Sequence, residues 1–380
     1  MNQLDFINTE RLQWSINDAA VSVAEVARAI GLNEQRLHEV LSGKSGLTFR
    51  QIGKVADFLG RGVFFFLQAG DVPEEKVHSA NFRTLTNQKP YLSLTLRKLI
   101  ERIEFQRERY LGLLEELREE VTLFSPPALT GSIRNKAAQV RSWLKLGDSS
   151  SFESYREALE RQGILVFRTN GYKGKWQIPN DSPILGFSLF YKRFPVIVVK
   201  KLPQEERQSF TLMHELGHLL LHQKSRIDEE DDFYANTGNE YQANQFSGRV
   251  LVPDNFLETI DLSAMPEHAT GYADWLQNHK KAWGVSIEVI LRRLLEAGKV
   301  SEKSYQAYRN WLDHQQPKED SRGSRKYRYR EPVHILGQRF VRTVLDASQA
   351  QVLTLTKASD YLDNLKIKDV HQLARYVTGY

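Results

Sequence analysis

His214, Glu215 and His218 stand together inside the apolar run Phe210-Thr-Leu-Met-His-Glu-Leu-Gly-His-Leu-Leu-Leu-His222. On a helix, residues four apart share a face one turn apart. Two imidazoles so placed can grip one Zn²⁺ at the usual Zn–N distance of about 2.0–2.1 Å, and Glu215 can reach the water beside the metal without ligating it. The chemistry this predicts is hydrolysis: the metal acidifies water and polarises a carbonyl, while Glu215 moves the proton to the leaving amine. Leu212, Met213, Leu216, Leu219, Leu220 and Leu221 predict a core-buried helix, where ionisable groups need partners or a metal. Gly217 suits a metal-facing turn with little room for bulk.

Two histidines and a water leave one ligand to find. The long pattern HExxHxxGxxH is excluded, because Leu221 and Lys224 stand where it needs Gly and His. His222 lies about 12 Å along the helix axis from His214, too far to share its metal, and is expected to support the site or the helix end. Downstream, Glu240 and Asn244 are again four apart, on a stretch whose Ala243, Phe246, Val250 and Leu251 form a helical apolar face. Glu240 is the expected third ligand, with Asn244 holding a ligand histidine from behind. The acidic run Asp228-Glu-Glu-Asp-Asp232 is expected to be a solvated loop and ranks below Glu240.

These two stretches, FTLMHELGHLLLH and EYQANQFSGRVLVP ending at Pro253, resemble the ImmA/IrrE family of bacterial and phage metallopeptidases over about residues 160 to 260. Ser247 and Gly248 depart from the family's usual Ala-Ala and touch no expected ligand. The resemblance implies a gluzincin-like centre with zinc held by His214, His218 and Glu240 and with Glu215 as catalytic base. It also implies a substrate that is a cytoplasmic regulatory protein, such as a phage-type repressor or an antitoxin. Family members of this long architecture are commonly encoded beside toxin genes, so an antitoxin or autorepressor that holds a cognate toxin without proteolysis is the competing reading.

The elements that must position these residues can be read around them. Strands are expected at Ile164–Arg168, Ile184–Tyr191 and Pro195–Lys201, after helices at Ile133–Leu146 and Phe152–Gln162. A zincin pairs an extended substrate with a strand edge beside the metal helix, and Ile184–Phe190 is the candidate edge. Beyond Pro253, helices are expected at Tyr272–Trp283, Ser286–Ala297 and Ser301–His314, and a compact helical tail is centred on Thr354–Leu365.

Before the peptidase region, Val23–Ile30, Gly31 and a second helix ending near Leu41 form a helix-turn-helix pattern, followed by a Thr-capped helix in Leu47–Leu59. This stretch resembles the XRE, or phage-repressor-like, family. Asn33, Gln35, Arg36 and His38 would then face operator DNA. Against strong binding, residues 1–70 carry seven Lys/Arg and seven Asp/Glu, so the module has no net charge to offer phosphates. A polar connection is expected from Pro73 to Pro90, with Asn81-Phe-Arg83 similar to the family's linker segment. Leu96, Ile103, Tyr110 and Leu117 then repeat every seven residues on a long amphipathic helix, which would pack on its own chain or form a homodimer. Near the end, Arg322, Arg325, Lys326, Arg328 and Arg330 interleave with Tyr327 and Tyr329, a composition suited to nucleic acid or to a solvated linker.

The expected fold is α+β and mostly α: a five-helix-type bundle over 1–70, a linker and long helix over 71–125, a zincin-like domain over 126–260 and a helical region over 261–380. The chain has no cysteine, which excludes disulfide frameworks and thiolate metal sites. It shows no signal peptide and no run of 18 apolar residues, so a cytoplasmic protein with no membrane partner is expected. A formal charge of +5 fits a DNA partner without requiring one.

Overall fold

Side-chain caps start many of the helices in the computed structural model, which describes residues 4, 6–72, 78–89, 92–120, 123–148, 150–170, 174–235, 237–314 and 325–379. The chain divides into two units, Met1–Arg102 and Ile103–Tyr380. This is a coarser division than the four segments expected from the sequence.

In the first unit, α1 (Thr9–Asp18), α2 (Val23–Ile30), α3 (Glu34–Leu41), α4 (Phe49–Leu59) and α5 (Ala80–Gln88) begin on Asn8, Ser22, Asn33, Thr48 and Ser79. Each of those side chains accepts a hydrogen bond from a backbone N–H of the first turn, which would otherwise be unpaired. Gly31 ends α2 at φ 74°, a left-handed conformation that favours glycine and turns the chain towards α3. Leu12, Val26, Ile30, Leu37, Val40, Ile52 and Val55 are buried together between these helices. The stretch expected as a polar connection is helical over α5, while 73–77 and 90 lie outside the described residues.

Helix α6 (Leu94–Glu116) continues from the first unit into the second. Within the second unit Ile103, Tyr110, Leu113 and Leu114 are buried, and the Tyr110 ring meets Phe194 and Phe340 at 5.2 and 5.5 Å. Arg107, which interrupts the heptad seam, donates to the Phe194 carbonyl at 3.0 Å and the Arg193 carbonyl at 2.6 Å, and lies over the Tyr191 ring. This part of the seam is therefore filled by its own chain.

The second unit continues with α7 (Ile133–Leu144), α8 (Phe152–Arg161), β1 (Leu165–Arg168), β2 (Ile184–Leu189), β3 (Val196–Val199), α9 (Glu205–Gly217), β4 (Arg226–Glu229) and α10 (Gly238–Leu251). The strands form one mixed sheet in the order β1-β3-β2-β4, with β1 parallel to β3 and the other pairs antiparallel. Strand β2, expected as the substrate-facing edge, is instead interior. The edge beside it is β4, whose Arg-Ile-Asp-Glu has neither strand composition nor alternation to announce it.

Helix α9 is buried almost all round from Gln208 to Gly217, between the sheet, α8 and α10. Gly217 serves this packing: a Cβ there would come within 3.2 Å of Phe246 and 3.4 Å of the Ala243 backbone on α10. Its small size eases the crossing of these two helices beside the turn that carries His218.

The helices that follow are α11 (Asp254–Leu257), α12 (Tyr272–Trp275), α13 (Gln277–Trp283), α14 (Ile287–Glu296) and α15 (Glu302–Asp313), then α16 (Glu331–Leu336), α17 (Gln338–Gln349), α18 (Leu355–Tyr361) and α19 (Ile367–Thr378). The single helix expected over Tyr272–Trp283 is two, parted at Leu276. Among the described residues the fold is α+β and mostly helical, with one small sheet. Among the described residues, no helix is long and apolar enough to cross a membrane.

Candidate metal centre

After Gly217 the metal-motif helix relaxes into a single π-helical turn, His218–His222, of the kind often found at functional sites. Helix α9 thus presents His214 and Glu215, the π turn His218 and His222, and α10, crossing above, Glu240. Four side chains converge: His214, His218, Glu240 and Asp228, the last from β4. The Nε2 atoms of the two histidines are 3.0 Å apart, and Glu240 Oε2 lies 3.2 and 3.1 Å from them. Asp228 Oδ2 lies 3.3 Å from each.

The donor set fits a cation. Ligands about 2.0–2.1 Å from a tetrahedral centre stand about 3.3 Å from one another, and these five separations fall between 3.0 and 3.3 Å. Two imidazoles and two carboxylates facing inward at this distance, buried from water, require positive charge among them.

Asp228 corrects the sequence reading. The run Asp228–Asp232 was expected to be a solvated loop, but Asp228 is fully buried on β4, and only the residues after it turn outward into a 3₁₀ turn over Glu230–Tyr234. Strand pairing opposite Gly186 carries Asp228 to the centre, a long-range event with no local signature.

Electrostatics follow from this crowding. Burial lowers the His218 pKa, but the facing carboxylates of Asp228 and Glu240 outweigh it and raise the value to about 9. Burial raises Glu240, yet the two histidines bring it down to about 2. Glu215 is held well above the ordinary carboxylate range, first by complete burial and then by the negative charge of Asp228. Gly186 leaves the space Glu215 occupies, since a Cβ there would come within 2.9 Å of its Oε1.

His222 Nδ1 is 3.0 Å from His218 Nδ1. Burial and the neighbouring His218 charge hold His222 down to about 4, so at neutral pH it accepts a hydrogen bond from His218 and leaves His218 Nε2 facing the centre. Asn244 does not hold a histidine: its Nδ2 donates to the Asp232 carbonyl at 3.0 Å, its Oδ1 has no hydrogen-bond partner, and neither has His214 Nδ1. Arg226, on the same strand as Asp228, forms an ion pair with Glu240 Oε1 and lies 3.4 Å from Asp228 Oδ1.

The other candidate residues lie elsewhere. Asn33 is the cap of α3, accepting from the Gln35 N–H at 2.8 Å, and Arg36 pairs with Glu39 at 3.2 Å. Gln35 and His38 are exposed, with His38 3.8 Å from Glu34. In the basic segment, Arg322 lies outside the described residues, and Arg325 and Lys326 are described in backbone only. Arg328 is exposed. Arg330 lies over the rings of Tyr327, Tyr329 and Tyr376 at 4.6, 5.4 and 4.5 Å, so part of the basic-aromatic pattern packs the chain's own C-terminal helix.

A buried cluster of His214, His218, Asp228 and Glu240 that could hold a metal ion thus lies beside Glu215, which stands outside it. Residues 159–295 match the model of a known family, the IrrE N-terminal-like domain of the Peptidase_M78 type, and the match contains every residue of the cluster. It supports a metallopeptidase of the ImmA/IrrE kind. No curated protein matches the chain.

Proposed function

We propose that the chain is a zinc-dependent endopeptidase of zincin-like fold joined to an N-terminal helix-turn-helix, and that it cleaves a regulatory protein of the repressor or antitoxin kind. The observation that carries the peptidase reading is Glu215, fully buried beside the ligand histidine His214 yet outside the ligand set. A bound Zn²⁺ would supply a Lewis acid for the scissile carbonyl and lower the pKa of its water. His214, His218 and Glu240 would hold it, with His222 orienting His218. Glu215 would take a proton at its carboxylate and deliver it to the leaving amine, and the burial that favours its protonated form suits the delivery half of that cycle.

The DNA-binding reading is supported by α2, the Gly31 turn and α3, which leave Gln35 and His38 exposed. Replacing Gln35 and Arg36 should remove sequence preference for an operator, each good bidentate contact contributing about 1–3 kcal/mol. Unchanged preference would remove α3 as the reader.

A second reading, an antitoxin or autorepressor that holds a toxin without cutting it, is favoured by Asp228, whose carboxylate stands 3.3 Å from both histidines where a substrate would have to approach. The experiment that separates the two expresses wild type and Glu215→Gln beside the candidate repressor or antitoxin and follows that partner's length. The amide cannot accept the proton, so metal should stay bound while cleavage falls about 10²-fold or more. Equal cleavage in both strains, or toxin neutralised with no cleavage in either, rejects the peptidase reading.

A further inference from the structure

The three ligands of the proposed zinc centre leave a fourth corner, where a hydrolytic zinc site keeps an exchangeable water. In this chain that corner is filled from within. Asp228 Oδ2 stands 3.3 Å from both ligand nitrogens, as far from each as a tetrahedral neighbour would be. Asp228 is 0% exposed, and its oxygens face the two ligand histidines at 3.3 Å and Arg226 at 3.4 Å. A buried carboxylate oxygen equidistant from two ligand nitrogens is placed to share a cation with them.

The rest of the segment closes the site with it. Phe233, five residues on, packs its ring 4.7 Å from the ring of His214 and 5.4 Å from that of Phe210. Arg226 bridges Glu240 and Asp228 from the outer side. Strand β4 also occupies the side of β2 that an extended peptide would have to use to reach the metal helix. Its pairing is irregular at Ile184/Gly186, beside Asp228, where the register shift locally disrupts the ladder.

We propose that Arg226–Tyr234 is a built-in substitute for substrate: Asp228 is the fourth ligand of the resting metal centre, and hydrolysis requires an extended peptide to displace β4 from β2 and take Asp228 away. The inference rests on the zinc-centre reading above. It reconciles an intact Glu215 with a site closed to water, because the closed form is the latent one.

The test uses the full chain loaded with Co²⁺ and the visible absorption of that ion, with acetohydroxamate as the probe for an exchangeable position. Millimolar acetohydroxamate should leave the wild-type spectrum unchanged and should shift the spectra of Asp228→Ala and of the isosteric Asp228→Asn. If the open fraction of wild type is about 1%, apparent probe binding is weakened about a hundredfold relative to the variants. A wild-type spectrum that shifts at the same probe concentration as the variants overturns the proposal, and should both variants fail to fold, a shift in wild type alone does so. Cobalt uptake by wild type that is lost in His218→Ala supports the underlying centre. No uptake, or uptake unchanged in His218→Ala, rejects that centre and this proposal with it, whereas an open, cobalt-loaded wild type rejects this proposal alone.

Discussion

His218 works through both of its ring nitrogens. Nε2 faces the cluster while Nδ1 meets His222 at 3.0 Å, and a partner on one nitrogen decides which tautomer the ring presents on the other. His222→Ala should therefore weaken metal affinity about 10- to 100-fold, read by competition with a chromophoric chelator, while the unfolding midpoint of the metal-free protein moves little. Wild-type affinity in that variant would reduce His222 to a helix-end residue. The contrast between Glu240 and Asp228 shows what a single residue reveals in sequence. The approach of Glu240 to the two histidines is legible because it lies on a helix whose apolar face fixes its direction. That of Asp228 is not, because a carboxylate followed by four more acidic or acid-rich positions looks solvated until a strand pairing buries it.

At the scale of elements, capped helices and β-branched strands were legible to within a few residues, since Ser22, Thr48, Ser132 and Ser151 each mark a helix start by local chemistry. Strand β4 and the order of the sheet were not, because both depend on contacts between residues distant in the chain. The glycines divide in the same way. A Cβ at Gly186 on β2 would stand 2.7 Å from Thr211 Cγ2, 2.9 Å from Glu215 Oε1 and 2.9 Å from the Val198 carbonyl. A backbone carbonyl cannot move aside, so Gly186→Ala should destabilise the protein by about 1–3 kcal/mol in denaturant unfolding. Gly53, within α4 and with nothing inside 4 Å of its Cβ position, is the control: Gly53→Ala should stabilise by about 0.5–1 kcal/mol. Equal effects at the two sites would remove the claim that β2 and α9 need close approach.

For the whole molecule, the two units carry different chemical dependences, and this separates them in an unfolding experiment. In the first unit His78 lies 2.8 Å from Asp18 and 3.4 Å from Glu101, and Arg61 pairs with both acids. Burial pulls the His78 pKa down, but its bonds to Asp18 and Glu101 raise it above 6.5, while His78 and Arg61 lower both acids against their burial. The histidine's contribution is thus full below pH 6.5 and lost as pH rises through its raised value. The acids' contributions are present above their ordinary 3.8 and 4.5 and lost on acidification through their lowered values. The first unit should be most stable between about pH 4.5 and 6.5, and His78→Asn should flatten the alkaline side of that profile.

The second unit holds all the proposed ligands, on α9, the π turn, β4 and α10. A metal that binds the folded unit and not the unfolded chain adds about 4 kcal/mol when free metal is about 1,000 times the dissociation constant. Removing it with a chelator should lower the melting transition that reports Trp283 and its neighbours in the second unit, and leave the transition that reports Trp14 in the first. Single-tryptophan variants followed by fluorescence would resolve the two. If chelation moves both transitions equally at every pH, the chain unfolds as one body and the assignment of separate dependences fails. If it moves neither, no metal is tied to the fold of the second unit.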